Sequence, residues 1–135
     1  MKQKPVLELA DVQRMLGAAE QEATRNGWKV GISIVDDGGH LLGAWRLDGA
    51  APMTAKMSLA KARTAALGRR ESRVYEEMIN NGRTAFLSAP DLDGLLEGAV
   101  PIVIDGECLG AVGVSGVKST EDAQIAKAAI DALSA

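Results

Sequence analysis

The single imidazole of this chain, His40, closes the run Val35-Asp36-Asp37-Gly38-Gly39-His40, beside two carboxylates and at a turn. So placed, it can ligate a metal or haem iron, or shuttle a proton. The competing structural reading is a surface histidine paired with an aspartate. Arg46-Leu47-Asp48-Gly49-Ala50 stands where a strand gives way to a helix. The amides at that helix start, together with Arg46, would favour an anionic ligand; an Arg46–Asp48 pair fixing the loop is the alternative. Lys61, in Lys61-Ala62-Arg63-Thr64-Ala65, is a candidate carboxylate or propionate contact, or a Schiff-base amine if buried. Most helical lysines are simply solvated.

Gly110-Ala111-Val112-Gly113-Val114-Ser115-Gly116 offers the Ser115 hydroxyl as a hydrogen-bond donor to a ligand bound near Gly116. As a nucleophile Ser115 has no evident base in the sequence. The glycine spacing is not the dinucleotide fingerprint, and no acidic residue follows at the right distance. Strand glycines of this kind mark bulges or close backbone approach, to a ligand or to a neighbouring subunit. Met53 and Met57 read as core, and Cys108 as an inert structural thiol.

Composition narrows the chemistry. A chain of 135 residues fits one domain, 1–135. One cysteine and one histidine exclude an internal disulfide, a cysteine-based zinc cluster and any multi-histidine metal site. A net charge of −3 and a pI near 5.2 argue against a dedicated nucleic-acid binder. No apolar run approaches the roughly 18–20 residues of a membrane helix. Met1-Lys2-Gln3-Lys4-Pro5 leads into charged sequence without an apolar signal region, so a cytoplasmic location is expected. With only Trp28, Trp45, Tyr75 and Phe86 as aromatics, the core must rest on aliphatic residues. A small domain of this kind is often marginal alone, and a homo-oligomer is expected.

The elements that must position these residues are legible in outline. Val12, Leu16, Ala19 and Ala23 recur at helical spacing between Glu8 and Asn26, and Gly27 suits the helix stop. Trp28 to Asp36 alternates with period two, Asp36-Asp37-Gly38-Gly39 reads as a hairpin turn, and His40 to Arg46 returns. A helix is expected from Pro52 to Leu67, with Met53, Met57, Ala60, Thr64 and Leu67 on one face, and a shorter one from Ser72 to Asn80. Phe86-Leu87 suggests a short edge strand. A second hairpin, Ala99 to Ile104 and Cys108 to Ser115, turns at Asp105-Gly106. Ser119 and Asp122 suggest a capping box opening a last helix to about Leu133. This order implies an α+β fold, an antiparallel sheet sandwiched by helices.

Taken in order, the runs 35–40, 46–50 and 61–65, then Val100-Pro101-Ile102 and 110–116, resemble the GlcG/HbpS family, the haem-degrading or DUF336 domain, which includes the C-terminal domain of PduO-type proteins. The resemblance spans essentially the whole chain. It implies a profilin-like three-layer α/β/α sandwich around an antiparallel sheet, and assembly into higher oligomers. Some members bind haem; others lie in catabolic operons. The matching positions include Asp36, His40, Arg46, Asp48, Lys61, Ser115 and Gly116. The chain departs from the family pattern at Leu47, at Gly98-Ala99 and at Val117-Lys118; the last two departures would reshape a ligand pocket.

Three readings follow. The first is a cytoplasmic homo-oligomer that binds haem or a related tetrapyrrole, with His40 as axial ligand and Arg46 and Lys61 as propionate partners. The second is a catabolic enzyme acting on a small carboxylate by isomerisation, hydration or deamination. There Arg46 would clamp the substrate, and Asp36, His40 or Lys61 would move protons. The third is a non-catalytic assembly subunit.

Overall fold

The computed structural model describes residues 1–134. Its helices are α1 (Leu9–Arg25), α2 (Met53–Gly68), α3 (Ser72–Asn80) and α4 (Ser119–Asp131). Its strands are β1 (Gly31–Asp36), β2 (Leu41–Arg46), β3 (Ala99–Ile104) and β4 (Glu107–Ser115). The strands form one antiparallel sheet in the order β2-β1-β4-β3, so the two hairpins join through β1 and β4.

The first hairpin turns where expected because Asp36 organises it. Its Oδ1 accepts the backbone N–H groups of Gly38 and His40, both at 2.9 Å, and Gly39 takes a φ of 82°. That left-handed geometry is cheap only for glycine.

The two sheet faces have different residues and therefore different partners. One face presents Ile32, Ile34, Ile102, Val112 and Val114, covered by the α1 row Val12, Met15, Leu16, Ala19 and Ala23 and by Ile125, Ala126 and Ala129 of α4. The other presents Gly31, Ser33, Val35, Ala99, Ala111 and Gly113, and α2 lies directly on it. The small residues let the helix backbone come close. A Cβ on Gly113 would stand 2.2 Å from the Ser58 carbonyl oxygen and 2.7 Å from the Ala62 nitrogen. Ser33 and Ser58 hydroxyls meet across the gap at 2.8 Å. The result is an α+β three-layer sandwich: α1 and α4, the sheet, then α2.

Four expectations change. The α2 face against the sheet is Thr54, Ser58, Lys61, Ala62 and Ala65, while Met53 is 66% and Leu67 40% exposed. The larger side chains point outward because only small ones fit beneath the helix. Phe86 and Leu87 lie in a 3₁₀ turn, Thr84–Ser88, with Phe86 edge-on to Tyr75 at 5.4 Å. At the start of α4 the Lys118 N–H is capped by Glu121 rather than Ser119 by Asp122; the Asp122 carboxylate is engaged elsewhere. Gly110 and Gly113 make their close approaches inside the molecule, to Val35 and to α2.

Candidate functional site

The length of β1 divides the sequence-derived site residues into two groups. Gly31 pairs with Arg46 and Ser115 at one end, and Asp36 pairs with Gly110 at the other. Five residue steps of about 3.3 Å separate those ends by roughly 16 Å. Asp36 and His40 therefore sit at the turn end, and Arg46, Asp48, Lys61, Ser115 and Gly116 at the opposite end. One chain does not bring His40 together with Arg46 or Lys61. The proton-moving set Asp36, His40 and Lys61 is split in the same way.

At the turn end the His40 Nδ1 lies 3.3 Å from Asp36 Oδ1, and the imidazole is 82% exposed. The carboxylate orients the ring and leaves Nε2 to solvent. Lys4 reaches Asp37 Oδ2 at 2.7 Å and the Cys108 carbonyl at 3.0 Å. That hydrogen bond from Lys4 holds the Asp37 carboxyl below the usual carboxylate range. Cys108 is a buried, unpaired thiol.

The opposite end carries two adjoining openings that share Trp28 and Lys29. The first is an open groove of about 670 Å³ between α1 and β2, lined by Glu20, Thr24, Trp28, Trp45, Arg46 and Asp48. It gathers both tryptophans of the chain. Among the described residues, neither Arg46 nor Lys29 makes a side-chain hydrogen bond or ion pair, and the loop-fixing Arg46–Asp48 pair is not formed. Two unpaired cations thus flank two indoles, alongside the carboxylates of Glu20 and Asp48, an arrangement that offers ring stacking and charge pairing together.

The second opening is a cleft of about 590 Å³ whose floor is the Lys61–Asp122 pair, with Ser115, Gly116, Ser119 and Thr54 around it. The Lys61 ammonium donates to the Val114 carbonyl at 3.1 Å and to Asp122 Oδ2 at 3.2 Å. The two side chains are only 5% and 3% exposed. Asp122 Oδ1 accepts the Val117 N–H at 3.2 Å. Burial pushes the Asp122 carboxyl above its ordinary pKa, opposed in part by the Lys61 charge. Lys61 is therefore not solvated but buried against Asp122. Gly98 makes room for it: with a φ of 140°, a Cβ there would stand 2.8 Å from Lys61 Nζ and 2.7 Å from the Val114 oxygen.

Asp122, Lys29 and the tryptophans escaped the sequence reading. Asp122 is 61 positions from Lys61, and no local pattern announces the pairing. Trp28 and Trp45 read only as strand positions. Among the described residues no group of three His, Cys, Asp or Glu could hold a metal ion, and no helix is long and apolar enough to cross a membrane.

The tryptophan groove offers indoles to a ring and cations to its carboxylates, but no imidazole, thiol or thioether lines it. The iron would find no nitrogen or sulfur ligand there from this chain.

Known proteins share this architecture. A family model described as "Haem degrading protein HbpS-like" matches residues 7–131. The chain is 55% identical over 115 residues to Protein GlcG of Escherichia coli, covering 85% of each. The crystal structure of protein ORFY of Klebsiella pneumoniae superposes with a TM-score of 0.92 at 30% identity, covering 100% of this chain and 95% of that one. PduOC, solved as a complex with haem, superposes at 0.86 with 26% identity over 95% of each chain. Matched along nearly its whole length, the chain belongs to the HbpS-like family.

Proposed function

We propose that this chain binds haem or a related tetrapyrrole, with the ring in the groove between α1 and β2 and its carboxylates on Arg46 and Lys29. The observation that carries this reading is the convergence of Trp28, Trp45 and two unpaired cations on one groove. Its volume, about 670 Å³, lies within the range of small-molecule sites. The haem complex of the related PduOC supports it. Haem, when bound, would supply a redox-active iron; the chain's own residues would supply stacking and charge pairing.

A second reading keeps haem but seats it at the turn end. It is favoured by the Asp36–His40 contact, which leaves Nε2 free to ligate iron. A haem titration followed at the Soret band separates the two. The groove reading expects Arg46→Ala to raise Kd about tenfold, the worth of one charge-assisted hydrogen bond, and His40→Ala to leave Kd unchanged. Loss of the Soret shift in His40→Ala alone would move the haem to the turn.

The same proposal includes self-association and a cytoplasmic setting. β2 is an edge strand, and Leu41 (53% exposed) and Leu42 stand open upon it. An exposed apolar edge is a natural contact between copies. An unpaired buried thiol suits a reducing compartment.

A further inference from the structure

We propose that the cleft floored by Lys61 and Asp122 is a separate binding site for a small carboxylate, one oxygen of which meets the Lys61 ammonium and the other the Ser115 hydroxyl. The inference does not rest on the haem reading.

Unmet donors mark the cleft. An ammonium has three N–H donors, and Lys61 spends two of them, on Val114 and Asp122. Ser115 is only 7% exposed, yet its hydroxyl has no hydrogen-bond partner among the described residues. Its oxygen is not sealed inside the protein but opens into the cleft, where a ligand can reach it. A third observation lies beside it. At the start of α4 the N–H groups of Glu121 and Asp122 bond the Lys118 carbonyl, whereas that of Ser119, at the cleft wall, has no partner among the described residues. Lys29 adds an unpaired cation at the rim.

The acid in the cleft does not answer these donors. Both Asp122 oxygens are already engaged, one by Lys61 and one by the Val117 N–H. What remains is an acceptor-shaped gap, and a ligand made of acceptors alone completes it. A carboxylate is planar, carries one charge and offers two oxygens to two neighbouring donors. A phosphate dianion would bring a second negative charge against Asp122 with one buried cation to answer it. A buried ion pair is seldom retained for stability alone, which accords with Lys61 and Asp122 serving a ligand.

The test is a titration of the full chain with acetate at constant ionic strength, followed by backbone amide NMR shifts, with inorganic phosphate in a parallel arm. Saturable shifts centred on Ser115, Gly116 and Ser119 are expected. Ser115→Ala, a small change that leaves the Lys61–Asp122 pair intact, should weaken acetate about three- to tenfold, the worth of one hydrogen bond. Arg46→Ala should leave acetate binding unchanged, which separates the cleft from the groove. The proposal is overturned if the shifts scatter over surface lysines, if Ser115→Ala binds acetate as the parent does, or if Arg46→Ala abolishes binding. Phosphate binding as tightly as acetate would overturn the assignment to carboxylates.

Discussion

Lys61 shows how far a residue's role depends on a partner the local sequence does not reveal. The run 61–65 marks a lysine on a helix, and most such lysines are solvated. Here the helix face bearing it lies against the sheet, and Asp122 arrives from the far end of the chain. Replacing Lys61 by Met should leave the Asp122 carboxylate buried without its cation, at a cost of about 3–5 kcal/mol at neutral pH. The sign of the pH dependence follows. Burial already raises the Asp122 pKa, and loss of Lys61 raises it further. A folded-state pKa above the unfolded value, about 3.9 for Asp, contributes stability at low pH that is lost as pH rises through the folded value. Denaturant unfolding of Lys61→Met should therefore show a deficit that shrinks on acidification. A deficit independent of pH would mean that Asp122 does not carry the uncompensated charge. The pairing of His40 with Asp36, four residues apart at a turn, was legible because it is local.

Among the elements, those with local signals were read well. The two hairpins declare themselves through Asp36-Asp37-Gly38-Gly39 and Asp105-Gly106, and α1 through its apolar row. What failed was the orientation of α2, because its buried face is chosen by the sheet and not by its own hydrophobicity. Close approach demands Ser58, Ala62 and Ala65 inside and leaves Met53 and Leu67 outside. Two glycine substitutions test this account in opposite directions. Gly113→Ala would drive a Cβ into the α2 backbone at Ser58, where no side chain can yield; it should cost about 2 kcal/mol or more. Gly17→Ala on α1 meets nothing within 4 Å and should stabilise by about 0.5–1 kcal/mol. Thermal or urea unfolding of both variants checks the pair. Equal and small effects would contradict the close packing of α2 on the sheet.

For the molecule as a whole, the sheet separates the candidate residues into two ends, which the linear motif order conceals. The motifs 35–40 and 46–50 are neighbours in sequence, but β2 carries the second the length of the sheet away from the first. Arg46, Asp48, Lys61, Ser115 and Gly116 reconverge at the opposite end, where Lys29 and Asp122 join them. The edge strand β2 gives the proposed assembly its contact. Leu41→Lys should shift the chain toward smaller species in sedimentation velocity, and an unchanged distribution would place the interface elsewhere. The central claim is that the tryptophan end of the sheet is the ligand-binding end. Its most direct test is a haem titration of the purified chain, comparing the parent with Arg46→Ala and His40→Ala. Saturable binding weakened about tenfold by Arg46→Ala and untouched by His40→Ala is the predicted result. Non-saturating absorbance, or binding lost in His40→Ala and retained in Arg46→Ala, would contradict it.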